Sequence, residues 1–79
     1  MTGMEPHKMS YLQLLILIDY DDMPKRIKCR IDNEVYIWDA EVKCYEHEHS
    51  AMNLSSFLLL NCSDSELASD MSLIEVIEQ

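Results

Sequence analysis

The sequence predicts a small, mainly β fold with antiparallel strands, and three stretches predict it. Residues 27–32 alternate apolar and polar side chains, which is the period-two pattern of a strand with one buried face. Residues 35–45 resume with β-branched and aromatic side chains after a turn at Asn33-Glu34, so the two stretches read as a hairpin. Residues 73–77 form a third, compact and mostly β-branched stretch.

Length and composition limit the class of protein. A chain of 79 residues holds one domain with a marginal core, and we expect a flexible leader at residues 1–8 and the domain at residues 9–79. Fifteen Asp and Glu against six Lys and Arg give a formal net charge of −9, which opposes binding to nucleic-acid phosphates. A hydrophobic content of 48% is too high for a disordered acidic tail.

Cysteine usage and apolar run lengths indicate the compartment. The three cysteines are an odd number without tight spacing, which favours a reducing, intracellular location in the cytoplasm or nucleus. The apolar run at residues 14–18 is too short for a signal peptide or a membrane span, so we expect no membrane contact.

The first part of the domain leaves two structures open. Residues 9–20 are mostly apolar, and a buried helix and a buried strand give the same pattern there. As a helix, the segment would be capped by Ser10 and would place Leu12, Leu15 and Ile16 on one face.

The later elements follow from composition. We expect one long strand at residues 35–45, on which Trp38 is at least partly buried, and a short strand at residues 57–60. Ser63 and Glu66 have the spacing of a capping box, which predicts a helical turn. Residues 72–78 fit either the end of a longer helix or a strand, and their β-branched side chains favour the strand.

One cluster has the chemistry of metal ligands. Cys44, His47 and His49 lie close in sequence, and on an extended chain the two imidazoles would point to the same face. A structural zinc site needs four ligands, and no second Cys/His pair with suitable spacing exists, so we predict no metal and no cofactor. The chain also lacks a glycine-rich phosphate loop and a recognisable catalytic order of Ser, His and Asp, so we predict that it is not an enzyme.

Most of the basic residues are concentrated in one stretch. Lys25, Arg26, Lys28 and Arg30 are four of the six Lys and Arg residues. They indicate either a small anion-binding patch or an exposed strand face whose charges pair with surrounding acids. The negative net charge favours the second interpretation.

Taken together, the segments resemble an Sm-like domain. Sm domains have an N-terminal helix followed by a strongly bent, SH3-type barrel of five antiparallel strands. Residues 27–34 resemble the opening of the first Sm motif, with Glu34 in place of its usual glycine, and Met52-Asn53 falls where a Met-Asn pair closes that motif. The resemblance implies a five-stranded barrel that is opened by a helix at residues 9–18 and ended by a strand at residues 73–77.

The residues that depart from the Sm pattern indicate which group of Sm-like proteins the chain resembles. Sm proteins that bind uridine-rich RNA carry an Asp before the Met-Asn pair and an Arg-Gly before the last strand. Neither is present here, and only Asn53 matches an RNA-contacting position. The chain therefore resembles the Gemin-type Sm-like subunits of the survival-of-motor-neuron (SMN) complex, which have lost these residues and pair through strand edges.

This resemblance implies a non-catalytic protein–protein adaptor. Its partner would be another Sm-like subunit, in a heterodimer that assists the assembly of small nuclear ribonucleoproteins for mRNA splicing. Binding would add a partner strand to an exposed edge, at residues 57–61 and 73–77. The predicted interface residues are Phe57, Leu58, Leu59, Leu60, Leu73, Ile74, Val76 and Ile77.

Two alternatives stay open. A Tudor-like barrel would also fit the aromatic stretch at residues 35–42, although its aromatic cage is not readily assembled from this sequence. A small acidic inhibitor, such as a phage anti-defence or immunity protein, would occupy a basic nucleic-acid-binding site, and it would need carboxylates aligned along one face.

Overall fold

The computed structural model describes residues 7–79, which form one open antiparallel sheet and three helices. The sheet has the strand order β1-β5-β2-β3-β4. Its strands are β1 (Lys8–Met9), β2 (Arg26–Cys29), β3 (Glu34–Asp39), β4 (Cys44–His47) and β5 (Ile74–Glu78). The helices are α1 (Tyr11–Asp19), α2 (Leu54–Asn61) and α3 (Asp64–Ser69). A mainly β class with antiparallel strands is consistent with this arrangement, but the sheet of the described residues is open and not a closed barrel.

One face of the sheet forms the core. Ile27, Cys29, Tyr36 and Ile74 on that face are buried together with Leu14, Leu54 and Leu58 of the helices. Residues on the opposite face, among them Lys28, Val35, Ile37 and Glu46, are partly or fully exposed. The alternation predicted for residues 27–32 is therefore confirmed for Ile27 and Cys29, whereas Ile31 lies in the turn that follows β2.

The hairpin at Asn33-Glu34 is confirmed, but the long strand at residues 35–45 is wrong. Asn33 has a φ of 60°, a left-handed conformation that asparagine tolerates well. A second turn at residues 40–43 divides the predicted strand into β3 and β4. Asp39 starts this turn because its carboxylate accepts the Glu41 N–H at 2.9 Å and its carbonyl accepts the Lys43 N–H at 2.8 Å. Trp38 is partly buried as predicted, and its ring centroid lies 5.1 Å from that of Tyr45.

The N-terminal apolar segment is a helix. Ser10 caps α1 by accepting the Gln13 N–H at 3.2 Å, and the Gln13 side chain accepts the Ser10 N–H in return. The side of α1 that faces the sheet carries Leu14, which is fully buried. Leu12, Leu15 and Ile16 do lie on one face of α1, as predicted. That face points outward, because the sheet packs on the opposite side of the helix.

The short strand predicted at residues 57–60 is wrong, since these residues lie within α2. Asn53 caps this helix, and its side-chain oxygen accepts the Ser56 N–H at 2.8 Å. Leucine is unbranched at Cβ and favours helix over strand, so the run at residues 58–60 does not oppose the cap. Leu54 and Leu58 are one turn apart and are both buried on the sheet side.

The helix α3 and the strand β5 form where the sequence predicts them, but β5 is not at the edge of the sheet as expected. Ser63 and Glu66 form the predicted capping box at the start of α3. Residues 74–78 form a strand, which lies inside the sheet with β2 on one side and β1 on the other. The free edge predicted at residues 73–77 is therefore wrong. Residues 1–6 of the predicted leader lie outside the described residues, and His7 accepts the Val76 N–H at 2.8 Å beside β1.

The helical assignment of α2 predicts opposite outcomes for two leucines. Leu58→Ala should lower the free energy of unfolding by about 2–5 kcal/mol, because it leaves a cavity in the core. Leu60→Ala should change it by less than about 0.5 kcal/mol, because Leu60 is 80% exposed. Urea unfolding followed by the fluorescence of Trp38, the single tryptophan, measures both. On a strand the two side chains would share a face, so equal losses would contradict the helix.

Candidate functional site

The outward sides of α1 and α2 carry large apolar side chains without cover. Leu59 and Leu60 are 68% and 80% exposed, and Leu12, Leu15 and Ile16 are 41–48% exposed. α2 has no charged residue, and α1 has none before Asp19 at its end. A helix that is apolar on all sides is normally covered on all sides. Here the sheet covers only one side, so the other side is left as an apolar surface.

Part of this surface forms a groove between the three helices, which we call the helical groove. Its volume is about 280 Å³. Its lining residues are Tyr11, Leu12, Leu15, Leu59, Asp64, Leu67 and Ala68. Ile16, which lines a separate depression with His7 and Met9, and Leu60, which follows Leu59 on α2, are also exposed. Contiguous exposed apolar surface is a common mark of a binding site, so the helical groove is the candidate functional site.

The charges around the helical groove all have one sign. The segments 10–22 and 53–70 carry six carboxylates and no Lys or Arg, because all six basic residues lie on strands and strand turns. Asp70 is paired with Arg30. The other five carboxylates, Asp19, Asp21, Asp22, Asp64 and Glu66, make no ion pair within the described part of the chain. The helical segments therefore carry acids without bases, and Asp64 is the charged residue that lines the groove.

The basic stretch on β2 is partly neutralised. The Arg26 guanidinium lies 3.2 Å from the carboxylate of Glu48 and 3.9 Å from that of Glu78. Arg30 binds Asp70 at the end of α3, and this contact lowers the pKa of the Asp70 carboxyl and raises that of the guanidinium. These ion pairs agree with the interpretation of an exposed strand face paired with acids.

The candidate metal ligands are engaged in other contacts. His47 Nε2 lies 2.7 Å from a carboxylate oxygen of Glu34, and His47 Nδ1 accepts the backbone N–H of His49 at 3.0 Å. Both nitrogens of that imidazole are thus occupied. The pKa of the Cys44 thiol is raised, chiefly by desolvation, which opposes the thiolate that a metal requires. Within residues 7–79 no group of three His, Cys, Asp or Glu side chains is placed to hold a metal ion.

The residues predicted at the partner interface are divided between core and surface. Leu58, Leu73 and Ile74 are fully buried, whereas Phe57 and Val76 are partly buried against the core. Leu59, Leu60 and Ile77 are exposed, and the first two belong to the candidate site. Asn53, the position that matched an RNA contact, is the cap of α2.

Sequence reasoning missed part of the site. The sequence alone does not predict a binding role for Leu67, and it places Leu12 and Leu15 on one helical face without indicating whether that face is buried. The available signal was the absence of charge from residues 10–18 and 53–63, which leaves neither helix with a polar side.

A separate acidic surface lies on the β3–β4 hairpin. Asp39, Glu41, Glu46 and Glu48 line an open groove of about 420 Å³ beside Trp38. The Glu41 N–H and then the Glu46 side chain lower the pKa of Asp39, and the hydrogen bond with Asp39 raises the pKa of Glu46. The contact therefore moves the pKa values of the two carboxyl groups in opposite directions.

Comparisons with known proteins find no match: no protein-family model, no curated protein and no solved structure is similar enough to this chain to count as one. None of the helices in residues 7–79 has the length and apolar content required to cross a membrane.

The contact between Asp39 and Glu46 predicts that a substitution at Asp39 changes the pKa of Glu46. Asp39→Asn keeps an acceptor for the Glu41 N–H but removes the negative charge, so the raised pKa of Glu46 should fall towards its ordinary value. NMR titration of the carboxyl carbons measures this shift. Glu41→Gln is the control, since it removes a nearby charge but not the partner in the hydrogen bond. A Glu46 pKa that is unchanged in Asp39→Asn would contradict the coupling.

Proposed function

We propose that the protein is a non-catalytic adaptor that binds another protein through the helical groove and the leucines beside it. The observation that carries the proposal is the exposure of Leu59 and Leu60 on a helix without charged residues. Burial of exposed apolar area is the main favourable term in protein association, at about 25 cal/mol per Å² before the costs of ordering. A partner that packs on these side chains would cover the side of the helices that the sheet leaves exposed.

The mode of binding differs from the strand pairing expected from sequence. Residues 57–61 are helical, and β5 already pairs on both sides, so neither stretch offers a free strand edge. The edge strand β1 has two residues. On the other edge strand, β4, the His47 N–H donates to the Met52 carbonyl at 2.8 Å, and Glu46 forms a bridge with Asn53. We therefore propose docking by side-chain packing on the helices and not by strand addition.

The Sm-like relationship is part of the same proposal, with another Sm-like subunit of an SMN-type assembly as the partner. Its support is an N-terminal helix that precedes an antiparallel sheet, with the hairpin at Asn33-Glu34 in the place of the first motif. The departure is α2, which occupies residues 54–61 where the resemblance expected a strand. An assembly of this chain with such a subunit would accordingly use a helical contact.

The acidic-inhibitor function is the second candidate, and the hairpin surface favours it. Four carboxylates, those of Asp39, Glu41, Glu46 and Glu48, border one groove. One feature reduces their negative charge: Glu48 is paired with Arg26. The adaptor is preferred because the apolar surface on the helices has no such internal compensation.

The two candidates predict different sensitive residues. The adaptor predicts that a protein which copurifies with the full chain is lost when Leu59→Glu and Leu60→Glu are combined, because two carboxylates would be buried at the interface. Val42→Glu is the matched control, since Val42 is 59% exposed on the β3–β4 turn. Quantitative mass spectrometry after affinity purification measures the loss, and circular dichroism checks that each variant is folded.

The opposite pattern would favour the inhibitor. A folded Leu59→Glu/Leu60→Glu variant that retains its partner at the parental level would contradict the adaptor at this face. Loss of the partner in the Glu41→Gln/Glu46→Gln variant, with no loss in the leucine variant, would assign the function to the acidic hairpin.

A further inference from the structure

We infer that the helical groove takes a basic amphipathic helix of the partner protein. This inference rests on the proposed function, because it assumes that the groove is the docking site and specifies the chemistry of what docks there. Three properties of the described residues carry it: the backbone around the groove, the size of the groove and the sign of the charges at its border.

The backbone argues for a helix as the occupant. The groove lies between helices, whose main-chain N–H and C=O groups are bonded within each helix, so its walls present side chains. An extended segment placed there would leave its own buried backbone groups without partners, which is costly. A helix satisfies its backbone internally and contributes only side chains to the contact.

The dimensions and lining of the groove suit protruding apolar side chains. Its volume of about 280 Å³ is close to the lower limit of the range of about 300–1,000 Å³ that is usual for small-molecule sites. Leu12 and Leu15 lie one turn apart on one wall, and Leu59 and Leu67 lie on the others. Apolar anchors one turn apart on a partner helix would meet these walls, as in other helix-in-groove complexes.

The charge argues for Lys and Arg beside those anchors. Asp64 lines the groove and Glu66 lies on the same helix, whereas no Lys or Arg is among the lining residues and Lys43 lies at the neighbouring depression beside Tyr11 and Leu15. Opposite charges at the rim accelerate association and select against partners with like charge. The same charge argues against a second copy of this chain, because each copy would bring a net charge of −9 and the same Asp64 and Glu66 to the interface. It also opposes a surface of anionic lipid.

Designed peptides test the inference. One peptide of about 18 residues is a helix with leucines on one face and lysines on the other, a second has glutamates in place of the lysines, and a third has the composition of the first in a scrambled order. Fluorescence anisotropy with the full chain measures each affinity at low and physiological salt. We expect the basic helix to bind at least about tenfold more tightly than the acidic and scrambled peptides.

Two pairs of variants locate the binding. Asp64→Asn with Glu66→Gln should weaken binding of the basic peptide about fivefold and reduce its salt dependence, as expected for two exposed charges. Asp39→Asn with Glu41→Gln removes the same net charge from the hairpin and should have no effect. Leu59→Glu with Leu60→Glu should abolish binding of the basic peptide.

The possible failures are distinguishable. Equal affinity for the basic and acidic helices, or for the basic and scrambled peptides, would overturn the inference. Equal losses of peptide affinity in the two charge-removing pairs of variants would also overturn it. The same holds if the protein binds neutral phosphatidylcholine vesicles more tightly than the basic peptide. If no peptide binds while Leu59→Glu/Leu60→Glu still releases the copurifying protein, the inference is wrong and the proposed adaptor function stands. If Leu59→Glu/Leu60→Glu changes neither the binding of the peptides nor the recovery of the copurifying protein, the inference and the proposed adaptor function are both wrong.

Discussion

The packing of two helices on one face of the sheet is the contact on which the rest of the structure depends. Leu14 of α1 and Leu54 and Leu58 of α2 are buried in one cluster with Ile27 and Ile74 of the sheet. The chain has too few residues to build a third layer over the helices, and a domain of this length buries only about 60–70% of the surface of its unfolded chain. Leu12, Leu15 and Ile16 of α1 and Leu59 and Leu60 of α2 are therefore left exposed on the side away from the sheet.

Charge is distributed unequally between the two layers. The basic residues lie on the strands and strand turns, where Arg26 and Arg30 pair with acids from distant parts of the chain. The helices carry acids without bases. An apolar surface beside acidic helical residues is protected against self-association by repulsion, yet it stays open to a partner of opposite sign. The proposal of a basic partner rests on this distribution of charge.

The edge strands of the described sheet are short, and the chain itself covers part of the outer side of β4. β1 adds two residues to the outer side of β5, and the segment before α2 bonds to the outer side of β4. Exposed strand edges favour association through the backbone, and such short covering segments suppress it. The proposed docking accordingly uses the helical side chains and not the strand pairing expected from the apolar stretches.

The elements governed by local rules were predictable from the sequence. Ser10 and Ser63 start helices because a side-chain oxygen can accept an N–H three residues on, and Asn33 starts a hairpin because asparagine tolerates a positive φ. The alternation at Ile27 and Cys29 identified the buried face of β2 without any knowledge of what covers it. Each of these rules acts within a few residues, so no tertiary contact was needed to apply it.

The tertiary structure alone decided the remaining features, including the candidate site. The leucines at residues 58–60 do not by themselves show which side of α2 is buried. Leu54 and Leu58 pack on the sheet, and that contact leaves Leu59 and Leu60 facing outward. One neighbour of β5 is β1, whose residues Lys8 and Met9 lie near the opposite end of the chain and pair with Glu75 and Ile74. Local sequence patterns carry no information about such a distant pairing. The sequence determined which residues are apolar and which are charged. Which apolar side chains stay exposed depends on how many layers the fold can build, and that is a property of the packed molecule.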